Sequence, residues 1–155
     1  MSEAKTSTLD AETKILLRIT CVLWVIWGLV HVLAGAMTIR AETPQAVAAI
    51  ADAVDAETLD VTYPDAAGAV VNQHGFNLLW IGAVTTICAL MVWRGSKPAM
   101  LLAILVAGLA DIGYFLFMDL GGYVNFVPGT VMTLICLAAV VLSTFAMVRM
   151  NKTGH

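Results

Sequence analysis

Three side chains in this sequence could do acid–base chemistry where water is scarce: His31, His74 and Asp111, each set in an apolar stretch. Asp111 is the one charged residue in 98–118. Holding a carboxylate at the centre of a bilayer costs about 2.5–3.5 kcal/mol on insertion scales, and such residues face a bundle interior, a partner or a water-filled cavity. Asp111 therefore marks a candidate site. An imidazole titrates near neutral pH and beside a carboxylate can pass protons, which makes His31 and Asp111 the candidate acid–base pair. His74 and Asn77 are three residues apart and share a helix face, as do Asp111 and Tyr114. With Trp27 as an aromatic neighbour, these residues form the candidate ligand-binding set.

The same residues suggest a metal. His31, His74 and Asp111 make a donor set suited to zinc or a non-haem iron, and two opposed histidines could hold a haem. However, no H-x-x-x-H, H-x-x-H or E-x-x-H spacing places two ligands on one helix, so the sequence names no cofactor.

The elements that must position these groups follow from composition. The chain has 155 residues, 60% hydrophobic and only 12% charged, with a mean hydropathy of +0.88. These values lie far outside those of soluble domains. Four runs, at about 15–39, 71–93, 98–118 and 127–148, are each long enough to span. A hydrocarbon core about 30 Å thick needs about 20 helical residues, whereas membrane strands would show alternating polarity that these runs lack. The expected fold is an all-α polytopic membrane protein with one integral membrane domain over residues 1–155. Short turns at 94–98 and 121–125 make neighbouring helices antiparallel, giving a four-transmembrane-helix up-down bundle. The first run is longer than a signal-peptide core and is expected to be retained as a helix.

Charge orients the bundle. Lys5, Lys14, Arg18, Arg94, Lys97, Arg149 and Lys152 fall on the face shared by both termini, while Arg40 alone falls on the other. The loop 41–70 carries six acids and no base. Cytoplasmic loops collect Lys and Arg, so both termini are expected in the cytoplasm of a bacterial-type plasma membrane, with the long loop outside. Within that loop, Thr43-Pro44 reads as an N-cap with proline at the first helical position. A short amphipathic helix over 44–56 should follow, with Val47, Ile50 and Val54 on one stripe, able to cap the outer mouth of the bundle.

Gly28 and Gly35 in the first span, and Gly75 and Gly82 in the second, recur at seven residues and invite close helix approach. Cys21, Cys88 and Cys136 fall inside the spans without C-x-x-C pairing and read as buried small hydrophobes. Asp119, Arg40 and Glu42 lie at span ends and read as solvated. The acidic pI of 5.4 and the lack of a basic patch exclude nucleic acid as an expected partner. The bilayer, a second copy of the chain or a partner membrane subunit remain.

At 1.5 Å of rise per residue, His31, His74, Asn77, Asp111 and Tyr114 all fall in the outer half of their spans. Three helices could converge on one polar pocket. The chemistry this allows is binding or proton-coupled transport of a small solute. Acid–base catalysis on a lipid, isoprenoid or quinone is a second possibility, and a non-catalytic assembly role a third.

Overall fold

The computed structural model describes residues 10–152; Lys5, counted above among the bases of one face, lies outside them. The chain is 84% helical, and the described residues contain no strand. Helix α1 (Ala11–Arg40) opens at Asp10, whose carboxyl accepts the Thr13 amide at 2.7 Å. Two short helices follow, α2 (Thr43–Ile50) and α3 (Ala56–Leu59). Helices α4 (Asp65–Val92), α5 (Lys97–Asp119) and α6 (Phe126–Lys152) complete the fold. Together with α1, they are the four helices long and apolar enough to cross a membrane. The expected all-α four-helix bundle is the fold observed.

The helices all begin earlier than the apolar runs, and all but α4, which ends at Val92, also end later, because hydropathy marks the greasy segment rather than the hydrogen-bonded one. The largest correction is at α4, which starts at Asp65 instead of 71. The loop helix expected over 44–56 is also corrected. It stops at Ile50 and resumes as α3, with Glu42 rather than Thr43 at its N-cap. The break has a tertiary cause. The Ala53 amide donates to Tyr123 O at 3.1 Å, and Asn125 donates twice to Asp52: its backbone N–H to Oδ1 at 2.7 Å and its side-chain Nδ2 to the carbonyl at 2.8 Å. These bonds pin the segment to the α5–α6 connection.

The closest helix pair is α1 with α4, and the glycines explain why. Gly28 faces Gly82 and Gly35 faces Gly75 in antiparallel register. A Cβ on Gly82 would meet Gly28 O and come within 2.7 Å of Val32 N; one on Gly35 would meet Gly75 O and lie 2.6 Å from Leu79 N. Backbone therefore rests on backbone along this seam, as small residues permit in membrane interfaces.

The end of the bundle opposite the loops gathers the bases. Arg149 pairs with Glu12 at 2.6 Å, Lys97 donates to Asn151 at 2.6 Å, and the Arg18 guanidinium sits 5.3 Å from the Trp93 ring centroid. Near this end α4 and α5 are in close contact, with Cys88, Ala89 and Val92 sharing a buried cluster with Ala99, Met100 and Ala103. Toward the loop end the pattern changes. Beyond Gly108, α5 has no substantial packing against α4, and a cavity occupies the space between them.

Candidate functional site

The cavity measures about 470 Å³, is open on part of its boundary, and is lined by residues of all four long helices and of α2. Helix α1 contributes Val30, His31, Ala34, Met37 and Thr38; α4 contributes His74 and Leu78; α5 contributes Asp111 and Tyr114; and α6 contributes Pro128, Gly129 and Met132. Over the loop end, Gln45, Ala46, Ala49 and Ile50 of α2 form a lid. The earlier start of α4 matters here. Counting from the loop ends of the helices, His31 and His74 are each nine residues in and Asp111 eight, roughly 12–14 Å at 1.5 Å per residue.

His31 is fixed from below. Its ring stacks on Trp27 one turn earlier, with centroids 3.6 Å apart and planes 20° from parallel. His31 Nδ1 lies 2.7 Å from Trp27 O. A carbonyl oxygen can only accept, so Nδ1 carries the proton, and in the neutral ring Nε2 is the acceptor. Trp27 itself is fully buried, and its indole Nε1–H donates to Asp111 Oδ1 at 3.1 Å. His31 and Asp111 are thus joined through Trp27 and share no direct hydrogen bond. Trp24 continues the support, meeting Trp27 edge-on at 6.4 Å and donating to Ser143 Oγ at 2.9 Å.

Asp111 is only 7% exposed, yet it borders the cavity. Behind it lies the Cys136 thiol, which contacts the carboxyl. Tyr114, one turn further along α5, brings its hydroxyl over Gly129, where a Cβ would stand 2.8 Å from the phenolic oxygen. The glycine thus makes room for the tyrosine.

Of the six candidate ligand-binding residues, the structure brings His31, His74, Asp111 and Tyr114 to one cavity. Trp27 lies beneath the wall as the link between two of them. Asn77 is corrected: it is half-buried, accepts the Trp80 indole N–H at 3.1 Å, and does not line the cavity. On α4 the cavity face is the four-residue step from His74 to Leu78, and the three-residue step to Asn77 turns off it. The metal set is corrected too. Among the described residues no three His, Cys, Asp or Glu side chains form a group that could hold a metal ion, although His31, His74 and Asp111 all border the cavity.

Asp119 also departs from the reading as a solvated end. It is half-buried and accepts the Thr130 hydroxyl at 2.6 Å and the Thr133 hydroxyl at 2.9 Å, joining α5 to the start of α6. Sequence reasoning missed Thr38, Gln45 and Gly129. Thr38 was within reach of it, seven residues beyond His31 on the stripe that holds Gly35. No protein-family profile, curated protein or solved structure matches the chain.

Proposed function

We propose that this is a small integral membrane protein whose loop-end cavity binds a small, largely apolar solute, with His31 and Asp111 as the proton-sensitive pair at its polar end. The observation that carries this reading is the convergence of His31, His74, Asp111 and Tyr114, from three helices, on one cavity of about 470 Å³. Small-molecule sites commonly span 300–1,000 Å³, with apolar walls and a few placed polar groups, which is the pattern here. The His31 tautomer, set by Trp27 O, presents Nε2 as the atom free to take a proton. In this reading both termini are cytoplasmic, in keeping with the bases gathered at the opposite end.

The test is equilibrium binding of small amphiphiles to the full chain in lipid nanodiscs between about pH 5.5 and pH 8, against Asp111→Asn and His31→Phe. Affinity should fall about tenfold in either variant, the loss expected when a hydrogen bond to a charged or buried group is removed. Its pH dependence should flatten in His31→Phe. Both variants binding like the parent protein, with unchanged folded yield, would remove the pair from the site. Lost yield without any ligand effect would favour a scaffold.

A second reading, an enzyme acting on a bilayer lipid, isoprenoid or quinone, is favoured by the unpacked stretch between α4 and α5. It requires His31 and Asp111 to act on the substrate from separate positions, since Trp27 stands between them.

A further inference from the structure

We infer that the solute is a lipophilic amine whose N–H groups bind Asp111 and His31, and that it reaches the cavity sideways from the membrane between α4 and α5. This rests on the cavity being a binding site. The head group follows from the atoms on offer. No Lys or Arg borders the cavity, and Asp111 brings a carboxylate. His31 Nε2 is an acceptor because Nδ1–H is committed to Trp27 O. The Thr38 hydroxyl donates its proton to Ala34 O at 2.9 Å, so toward the cavity its oxygen can only accept. Gln45, His74 and Tyr114 add polar groups of mixed donor and acceptor character, so charge decides: an anionic head would face the Asp111 carboxylate with no Lys or Arg to balance it, whereas a protonated amine pairs with it. The acids of the 41–70 loop, which carries no base, add a negative field at the same end and raise the local concentration of cations.

The route follows from packing. Helix α2 covers the loop end and is held through Asp52 and Asn125. On the side, α5 beyond Gly108 has no substantial packing against α4, whose other side stays on α1. His74 is exposed in that gap, and Leu78 is half-buried below it. Ile112 and Phe115 carry an apolar surface from α5 toward the surrounding acyl chains, at 54% and 41% exposure. An alkyl tail can lie in this gap while its head turns inward.

Two measurements on the full chain in zwitterionic nanodiscs test the inference, with protein-free discs as the reference. The first compares dodecylammonium, dodecanol and dodecanoate. Dodecylammonium should bind at least about tenfold tighter than dodecanol, and dodecanoate should not bind. Asp111→Asn, which keeps an acceptor for the Trp27 indole, should erase that preference. His31→Phe, which keeps the stack, should reduce it. The second compares labelling of His74→Cys by an N-alkylmaleimide dissolved in the bilayer and by a charged water-soluble maleimide. The native cysteines are 5%, 3% and 2% exposed and give little background. Faster labelling by the bilayer reagent is expected. Dodecanol or dodecanoate binding as tightly as the amine would overturn the amine assignment while leaving the binding reading intact. No specific binding by any of the three would overturn both. Faster labelling by the charged reagent would overturn the sideways route.

Discussion

Replacing Trp27 by Phe keeps an aromatic ring beneath His31 but deletes the N–H that reaches Asp111, so it tests what holds the polar pair together. Two scales bear on the cost. Hydrogen bonds to charged groups in soluble proteins contribute about 1.5–3 kcal/mol. Interhelical hydrogen bonds in membrane proteins average about 0.6 kcal/mol and reach about 1.7 kcal/mol, because the unfolded chain in the membrane finds other partners. The Trp27–Asp111 separation of 3.1 Å is longer than the 2.7–2.9 Å of a strong charge-assisted bond. The lower scale should therefore govern, and the coupling should fall at about 0.6–1.7 kcal/mol. The single substitution also removes part of a fully buried ring, so its total cost overstates the bond. A double-mutant cycle of Trp27→Phe with Asp111→Ala cancels that packing loss. Reversible unfolding of the four proteins in mixed micelles, titrated with a denaturing detergent, gives the coupling. A value under about 0.3 kcal/mol, within ordinary additivity, would show that the indole does not hold Asp111.

The glycine seam predicts an order. Gly35→Ala and Gly82→Ala press a methyl group into opposing backbone and should each cost about 1–3 kcal/mol by micelle unfolding. Gly75→Ala meets side-chain atoms of Thr38 and Ile39 first, rather than backbone, and should cost less; equal costs would refute backbone-on-backbone contact. Asp52→Ala removes the acceptor for the Asn125 amide, and amide hydrogen exchange across α2 should quicken by about fivefold to tenfold while the four long helices keep their protection. Unchanged exchange would mean the lid is held elsewhere. Asp10 predicts a pH effect. The Thr13 amide donating to its carboxyl, and Arg149 nearby, hold its pKa below the ordinary carboxylate value. A carboxylate lowered on folding stabilises the folded state above its unfolded pKa, and that contribution fades as pH falls through the folded value. Asp10→Asn, still a good N-cap, should be less sensitive to acid than the parent protein between about pH 5 and pH 2. Identical acid titrations would remove the effect.

The four spans and their alternation were legible because membrane insertion is written in composition: about 20 uncharged residues read as a crossing helix whatever surrounds them. Depth was legible for the same reason, and placed His31, Asp111 and Tyr114 in one half of the bundle. Helix rotation was not. His74 and Asn77 share a general face, yet only His74 reaches the cavity, and nothing local separates them. The loop helix failed at 51–55 for a non-local reason, since its continuation is tied to Tyr123 and Asn125, some 70 residues away in sequence. Trp27 was visible as an aromatic near His31, but its double role depends on α5 lying within reach of its indole. That is a tertiary fact.

The inward aim of Asp111 has a local cause that residue types alone do not reveal. Ala103, Ala107 and Asp111 are all buried, at steps of four residues. In a regular α-helix of 3.6 residues per turn, eight residues overshoot two turns by about 80°, which would carry Asp111 well off the face that Ala103 presents. Helix α5 instead contains a π-helical segment, Ile104–Gly108, whose wider turn takes up one extra residue. Eight residues then act as seven, close to two full turns, and the carboxylate stays on the packed face. The same wide turn lies at the level where α5 stops packing on α4. One irregularity in the helix thus accompanies both features on which the proposed site depends: an acid turned away from lipid, and a space between helices for it to face.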